Sequence, residues 1–131
     1  MKRPRVGVGC VVRRGAELLL VRRRGGPGSR TWSPPGGELG LGEDPARCAV
    51  RETEALTGVI VGPLRFVGTT SDVLGRKRHY VMLWFEADYA GGEARVRVRD
   101  EVSELGWFDE RSLPEPLSRP FKSLLDGSAL R

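Results

Sequence analysis

The chain has 131 residues, 39% of them hydrophobic and spread in short runs, which suits one domain with its own core and offers no stretch long enough to span a bilayer. A formal net charge of +5 brings nucleic acid into view. The clusters Arg22-Arg23-Arg24 and Arg76-Lys77-Arg78 are short and lack aromatic interleaving, however, so small phosphate ligands and solvated faces are the favoured reading and nucleic acid is disfavoured.

The apolar stretch from Val6 to Val12 is interrupted by Gly7 and Gly9 and followed by Arg13-Arg14, so it makes no secretory segment. The expectation is a soluble, cytoplasmic protein folded as a single domain over 1–131. Val6 to Arg14 and Glu17 to Arg23, joined at Gly15-Ala16, predict a hairpin. Arg24 to Arg30 is too glycine-rich for regular structure and predicts a mobile surface loop, after which Trp32-Ser33-Pro34-Pro35 forces an extended approach to Gly36-Gly37.

A helix is expected from Pro45 to Thr57. Asp44 caps its free N–H groups, Pro45 sits where no N–H is needed, and Gly58 supplies a left-handed stop. Ala46, Ala49, Val50, Thr53 and Leu56 fall on one apolar arc, Arg47, Arg51 and Glu54 on the wet side, and Glu52 at the boundary.

Val59 to Thr70, broken at Gly62-Pro63, and Arg78 to Tyr89 predict strands joined by a loop from Ser71 to Lys77. The run from Tyr80 to Phe85 suits a central strand buried on both faces. Arg and Val alternate from Glu93 to Arg99, predicting an edge strand. Glu104 to Asp109 reads as a last strand and Ser118 to Asp126 as a terminal helix capped by Ser118 and stopped at Gly127. This order predicts a mixed α/β fold.

Cys10 and Cys48 lie too far apart for a metal or redox motif and read as buried thiols. His79, the sole histidine, excludes His-pair metal sites and weakens any Ser-His-Asp arrangement. A metal, if used, falls to carboxylates. Acidic residues on a glycine-rich loop and helix suit Mg²⁺ or Mn²⁺, which take oxygen ligands and bridge carboxylates to phosphates.

The stretch from Gly36 to Gly58 resembles the Nudix box of the Nudix (MutT-like) hydrolases, G-x5-E-x7-R-E-U-x-E-E-x-G-U with U aliphatic. Gly37, Glu43, Arg51, Glu52, Gly58 and Val59 stand on its fixed positions, and Thr53 stands where an aliphatic residue is usual. The likeness extends to Arg22-Arg23 ending the second strand, to Trp32 and Pro35-Gly36-Gly37, to Glu101 ahead of Gly106-Trp107-Phe108, and to Leu113-Pro114. Val-Gly-Val-Gly near the start and His79-Tyr80 are most similar to the nucleoside-triphosphate pyrophosphohydrolases of that family.

One departure stands out: Ala55 and Leu56 replace the Glu-Glu pair of the box. In the family the second Glu lies one turn after the Glu of Arg-Glu and shares its face. Glu54 cannot stand in, because two residues rotate roughly 200° about a helix.

The resemblance implies an α/β/α sandwich with a mixed sheet and the cleavage, by metal-activated water, of a phosphoanhydride in a nucleoside triphosphate or other nucleoside diphosphate-X compound. It implies metal ligation by the Gly36 carbonyl, Glu52 and Glu101, with Glu43 and Arg51 bracing loop and helix and Gly37 meeting the substrate. Arg22 or Arg23 would touch phosphate or base, or be ordinary solvent-facing charge. Trp32 would flank the base or belong to the core, and His79 would be structural or substrate-facing rather than a general base. A homodimer enters as a partner through the family alone. The rival is a nucleotide-binding sensor or interaction module on the same fold, favoured by Ala55-Leu56.

Overall fold

Strand β1, Arg5–Arg14, is the axis of the sheet because it is paired along both edges. The computed structural model describes residues 3–26 and 28–127, so Met1, Lys2, Pro27 of the first loop and the last four residues lie outside it. The remaining elements are β2 Glu17–Arg23, β3 Trp32–Ser33, β4 Gly36–Glu38, α1 Pro45–Thr57, β5 Ile60–Val61, β6 Arg65–Leu74, β7 Arg78–Gly91, β8 Val102–Asp109 and α2 Arg119–Gly127.

The strand path runs β3-β2-β1-β7-β5, with β4 on β1, β6 on β7 and β8 on β2. β1 and β7 are parallel over Arg5 to Arg13, while the other pairs are antiparallel, which makes the sheet mixed. β1 pairs β4 at Gly7 to Gly9 but β2 only at Arg13-Arg14. The sheet therefore splays between β4 and β2.

Alternation along β1 divides the core between two faces, because successive side chains point to opposite sides. Val8, Cys10 and Val12 join Cys48 and Ala49 of α1. Val11 joins Trp84 and, from α2, Phe121 and Leu124. Helices thus cover both faces of the sheet, as the expected α/β/α sandwich requires. Among the described residues, no helix is long and apolar enough to cross a membrane.

Several elements depart from the pattern read along the chain. The predicted loop at Ser71 is strand as far as Leu74, and the turn is confined to Gly75–Lys77. Asp72, which reads as a loop residue, is tolerated in that strand because Ser123 Oγ of α2 donates to its Oδ1 at 2.6 Å. Glu93 to Arg99 forms no strand. Its backbone runs along the end of α1 instead, with Arg95 N donating to Thr57 O at 2.9 Å, and Val96 and Val98 pack against Leu56.

Val50 lies off the buried face of α1, which is Cys48, Ala49, Thr53, Leu56 and Thr57. Full burial in β7 falls on Trp84 to Ala87, whereas Tyr80 to Leu83 are half-buried, with Tyr80 and Met82 facing a cleft. The last strand starts two residues early, at Val102. The prolines before the glycine loop do hold an extended path, which forms β3 and β4.

Candidate active site

The ends of α1 are built as its sequence dictates. Asp44 accepts a hydrogen bond from Arg47 N at 3.1 Å, and Gly58, at φ 80°, closes the last turn through its N–H to Glu54 O. The capped helix carries Arg51 and Glu52 side by side. Arg51 grips Glu43 through two hydrogen bonds of 2.7 and 3.0 Å and reaches Glu52 Oε1 at 3.1 Å. Glu43 also accepts from Gly40 N at 3.0 Å. The Arg51 hydrogen bonds, with that backbone donor, hold the Glu43 carboxyl down at about 2 and push the Arg51 guanidinium up. Loop and helix are thereby tied into one unit.

Gly36 and Gly37 bring backbone up against that unit. A Cβ on Gly37 would stand 2.6 Å from the Glu52 carboxyl carbon, and one on Gly36 would stand 2.2 Å from Val8 O. Only glycine lets the Glu52 carboxylate lie against this backbone. From the end of β2, Arg23 Nη2 donates to Gly36 O at 3.0 Å. Burial lowers the Arg23 pKa, partly offset by the charges of Glu101 and Glu52. Glu101 is placed by Arg24, whose backbone N–H donates to its carbonyl at 2.9 Å.

Arg23, Gly36, Gly37, Glu52 and Glu101 line one cleft of about 700 Å³, which opens where the sheet splays. The oxygens available to a cation there are the Glu52 and Glu101 carboxylates and the Gly36 carbonyl. Among the described residues, no group of three or more His, Cys, Asp or Glu side chains is gathered as a metal centre.

Glu43 and Arg51 stand behind Glu52 rather than on the cleft wall. Arg22 pairs with Glu104 at 3.3 Å, donates to Arg30 O at 3.2 Å and lies 5.9 Å above Trp32. Trp32 is in the core, edge-on to Phe108 at 5.0 Å. His79 Nε2 of β7 meets Ser71 Oγ of β6 at 2.6 Å. None of these three lines the cleft. Leu56 is fully buried against Val21 and Val102. Burial raises both thiols, Cys10 and Cys48, to about 11, which leaves them protonated near neutral pH.

Sequence reasoning missed the cleft floor of Tyr80, Met82 and Trp84 and its far wall of Arg119 and Lys122 on α2. A signal for the floor was present in β1. Gly7 and Gly9 lack side chains where Met82 and Trp84 lean across, since a Cβ at either would come within 2.5 Å of them. The wall had no local signal, because α2 reaches the cleft only through tertiary packing, on β6 and through Phe121 and Leu124 against Val11 and Trp84.

The NUDIX domain family model matches residues 3–126. The chain is 36% identical over 105 residues to the NAD-capped RNA hydrolase NudC of Pseudomonas aeruginosa, covering 79% of this chain and 36% of that protein. It is 29% identical over 113 residues to the ADP-ribose pyrophosphatase of Methanocaldococcus jannaschii, covering 86% of this chain and 66% of that one. The chain thus spans little more than a third of the length of the NudC relatives. Among solved structures, the MutT NUDIX hydrolase from Burkholderia pseudomallei superimposes with a TM-score of 0.89 at 29% identity, covering 95% of this chain and 98% of that one.

Proposed function

Because the chain belongs to the Nudix family, whose members act on nucleotide-derived substrates and generally use divalent metal ions, we propose that it hydrolyses a phosphoanhydride bond of a nucleoside triphosphate or another nucleoside diphosphate-X compound with Mg²⁺ or Mn²⁺. The observation that carries this reading is the convergence of Glu52, Glu101 and the Gly36 carbonyl around Arg23 in a single cleft. The relatives named NAD-capped RNA hydrolase and ADP-ribose pyrophosphatase support a diphosphate flanked by a nucleoside as the group that is cut.

The donor set is all oxygen, which fits a hard cation. Two carboxylates and a carbonyl leave coordination positions for phosphate oxygens and for the waters Mg²⁺ ordinarily keeps. Such an ion, when bound, neutralises charge on the phosphates and lowers the pKa of a water. Arg51 fixes Glu52 in place through their 3.1 Å contact, with Glu43 as the anchor on the loop. Arg23 keeps a positive charge at the Gly36 carbonyl, where an anhydride oxygen can take its remaining donors.

The second reading is a sensor that binds a nucleotide without turning it over, and the burial of Leu56 where the box has a carboxylate favours it. Phosphate and pyrophosphate release over a nucleotide panel, with Mg²⁺ or Mn²⁺, separates the two. Turnover by the wild type that disappears in Glu52→Gln supports the hydrolase. Saturable binding with no turnover of any substrate transfers the assignment to the sensor.

A further inference from the structure

Besides Glu52 and Glu101, one further carboxylate lines the cleft, that of Glu38, and the diphosphate reading gives it no role. Its strand fixes its direction. On β4 the Cβ position of Gly37 faces the Glu52 carboxyl of α1, and Leu39 packs against the core beneath that helix. Glu38 lies between them and projects from the opposite side of the sheet, because successive side chains alternate. It pairs with Gly7 of β1, and Gly7 pairs with Met82 of β7, so Glu38 stands at the edge of the floor formed by Tyr80, Met82 and Trp84.

The carboxylate is held without being saturated. Arg5 Nη1 donates to Glu38 Oε1 at 2.9 Å, whereas Oε2 has no hydrogen bond or ion pair among the described residues. An ionised carboxylate offers about four acceptor positions and no donor. Glu38 therefore cannot receive a phosphate oxygen as Arg23 can, and a ligand must bring it hydroxyl or amino donors. Arg5 offsets its charge beside an anionic ligand, and the same contact raises the Arg5 pKa.

Position selects among the donors a nucleotide carries. Glu38 is two residues along β4 from Gly36, whose carbonyl stands at the diphosphate end, a separation of roughly 6.6 Å. In a nucleoside 5′-diphosphate the group joined directly to the phosphates is the ribose, and the base lies beyond it. The vicinal 2′ and 3′ hydroxyls are the donors that fall within this reach, with the apolar Met82 beside them for the carbon face of the sugar.

We propose that Glu38, oriented by Arg5, accepts hydrogen bonds from the ribose 2′ and 3′ hydroxyls and so selects ribonucleotides over 2′-deoxyribonucleotides. This rests on the reading of Gly36, Glu52 and Glu101 as the diphosphate end. Contacts to an ionised acceptor are stronger than neutral ones. Glu38 and Arg5 are both more than half exposed, which keeps the gain modest.

Equilibrium binding tests the assignment without requiring turnover. Titration calorimetry with Mg²⁺ compares ADP, GDP, CDP and UDP with their 2′-deoxy and 2′,3′-dideoxy forms, in the wild type, Glu38→Gln and Glu38→Ala. For the diphosphate that binds tightest, each missing hydroxyl is expected to raise the wild-type Kd about fivefold, equivalent to about 1 kcal/mol. That penalty falls towards one in Glu38→Ala and is reduced in Glu38→Gln, while the Kd of the dideoxy form stays the same in all three proteins. Equal binding of ribo and deoxy forms by the wild type, or a ribose preference that survives Glu38→Ala, overturns the assignment and leaves the diphosphate reading standing. Titration with Mn²⁺ alone gives the same affinity in wild type and Glu38→Gln. A weaker Mn²⁺ affinity in the variant makes Glu38 a metal ligand and overturns its place at the sugar. Absence of binding by all four diphosphates removes the diphosphate reading itself, and the assignment with it.

Discussion

Substituting Leu56→Glu rewrites the box towards its family pattern, and the structure predicts that the result is a damaged fold rather than a better metal site. Leu56 is 1% exposed, against Val21 and Val102, both fully buried, and beneath Val96 and Val98. Removing its apolar contact forfeits about 1.5 to 3 kcal/mol. A buried carboxyl without a partner costs about 1 to 3 kcal/mol more. The sum, about 2.5 to 6 kcal/mol, lowers the melting temperature by roughly 10 to 24 °C at about 4 °C per kcal/mol for a chain of this length.

The pH dependence fixes the cause. Burial raises the introduced carboxyl's pKa in the folded state above its unfolded value, so the folded state binds more protons in the window between the two. Stability falls as pH rises through that window, and the deficit is larger at about pH 7 than at about pH 5. Differential scanning calorimetry at both pH values, with and without millimolar Mn²⁺, measures this. A melting temperature within about 2 °C of wild type, or a Mn²⁺ stabilisation larger in the variant than in the wild type, refutes the reasoning by showing that the new side chain reaches the cleft.

Glu43, held at about 2 against an ordinary 4.5, contributes stability that is complete above the ordinary value and lost as pH falls through the folded one, since the unfolded chain binds more protons in that window. Chemical denaturation over this acid range should show a shallower pH slope in Glu43→Gln, and equal slopes refute the Arg51 pairing as its source. Gly37→Ala places a methyl 2.6 Å from the Glu52 carboxyl carbon. The flexible end of Glu52 gives way, so the expected result is a near-normal melting temperature with turnover reduced about tenfold or more; full turnover would show that Glu52 needs no contact with this backbone. Gly9→Ala drives a methyl to 2.4 Å from the Trp84 ring. Overpacking of this kind costs about 1 to 3 kcal/mol, seen as a lower melting temperature, and an unchanged melt refutes it.

What the chain determines alone is what its local chemistry can specify. Asp44, Pro45 and Gly58 set both ends of α1 within a few residues of themselves, and the helix has the bounds they predict, Pro45–Thr57. The mixed sheet between helices followed from the order of patterned segments and from the Nudix resemblance. Tertiary structure decided where a pattern had more than one partner to satisfy it. Arg-Val alternation from Glu93 to Arg99 gives an apolar face that a sheet edge or a helix end covers equally well, and the last turn of α1 took it. That choice is also what buries Leu56. Ser71-Asp72 looks like loop until Ser123 of α2 satisfies the carboxylate inside a strand. The cleft belongs to no segment. It exists because β1 exchanges β4 for β2 along its length, and residues from β2, β4, α1, the loop before β8, and α2 meet at the gap. Spacing along one element fixes which residues share a face, whereas contacts between elements depend on packing that no local pattern encodes.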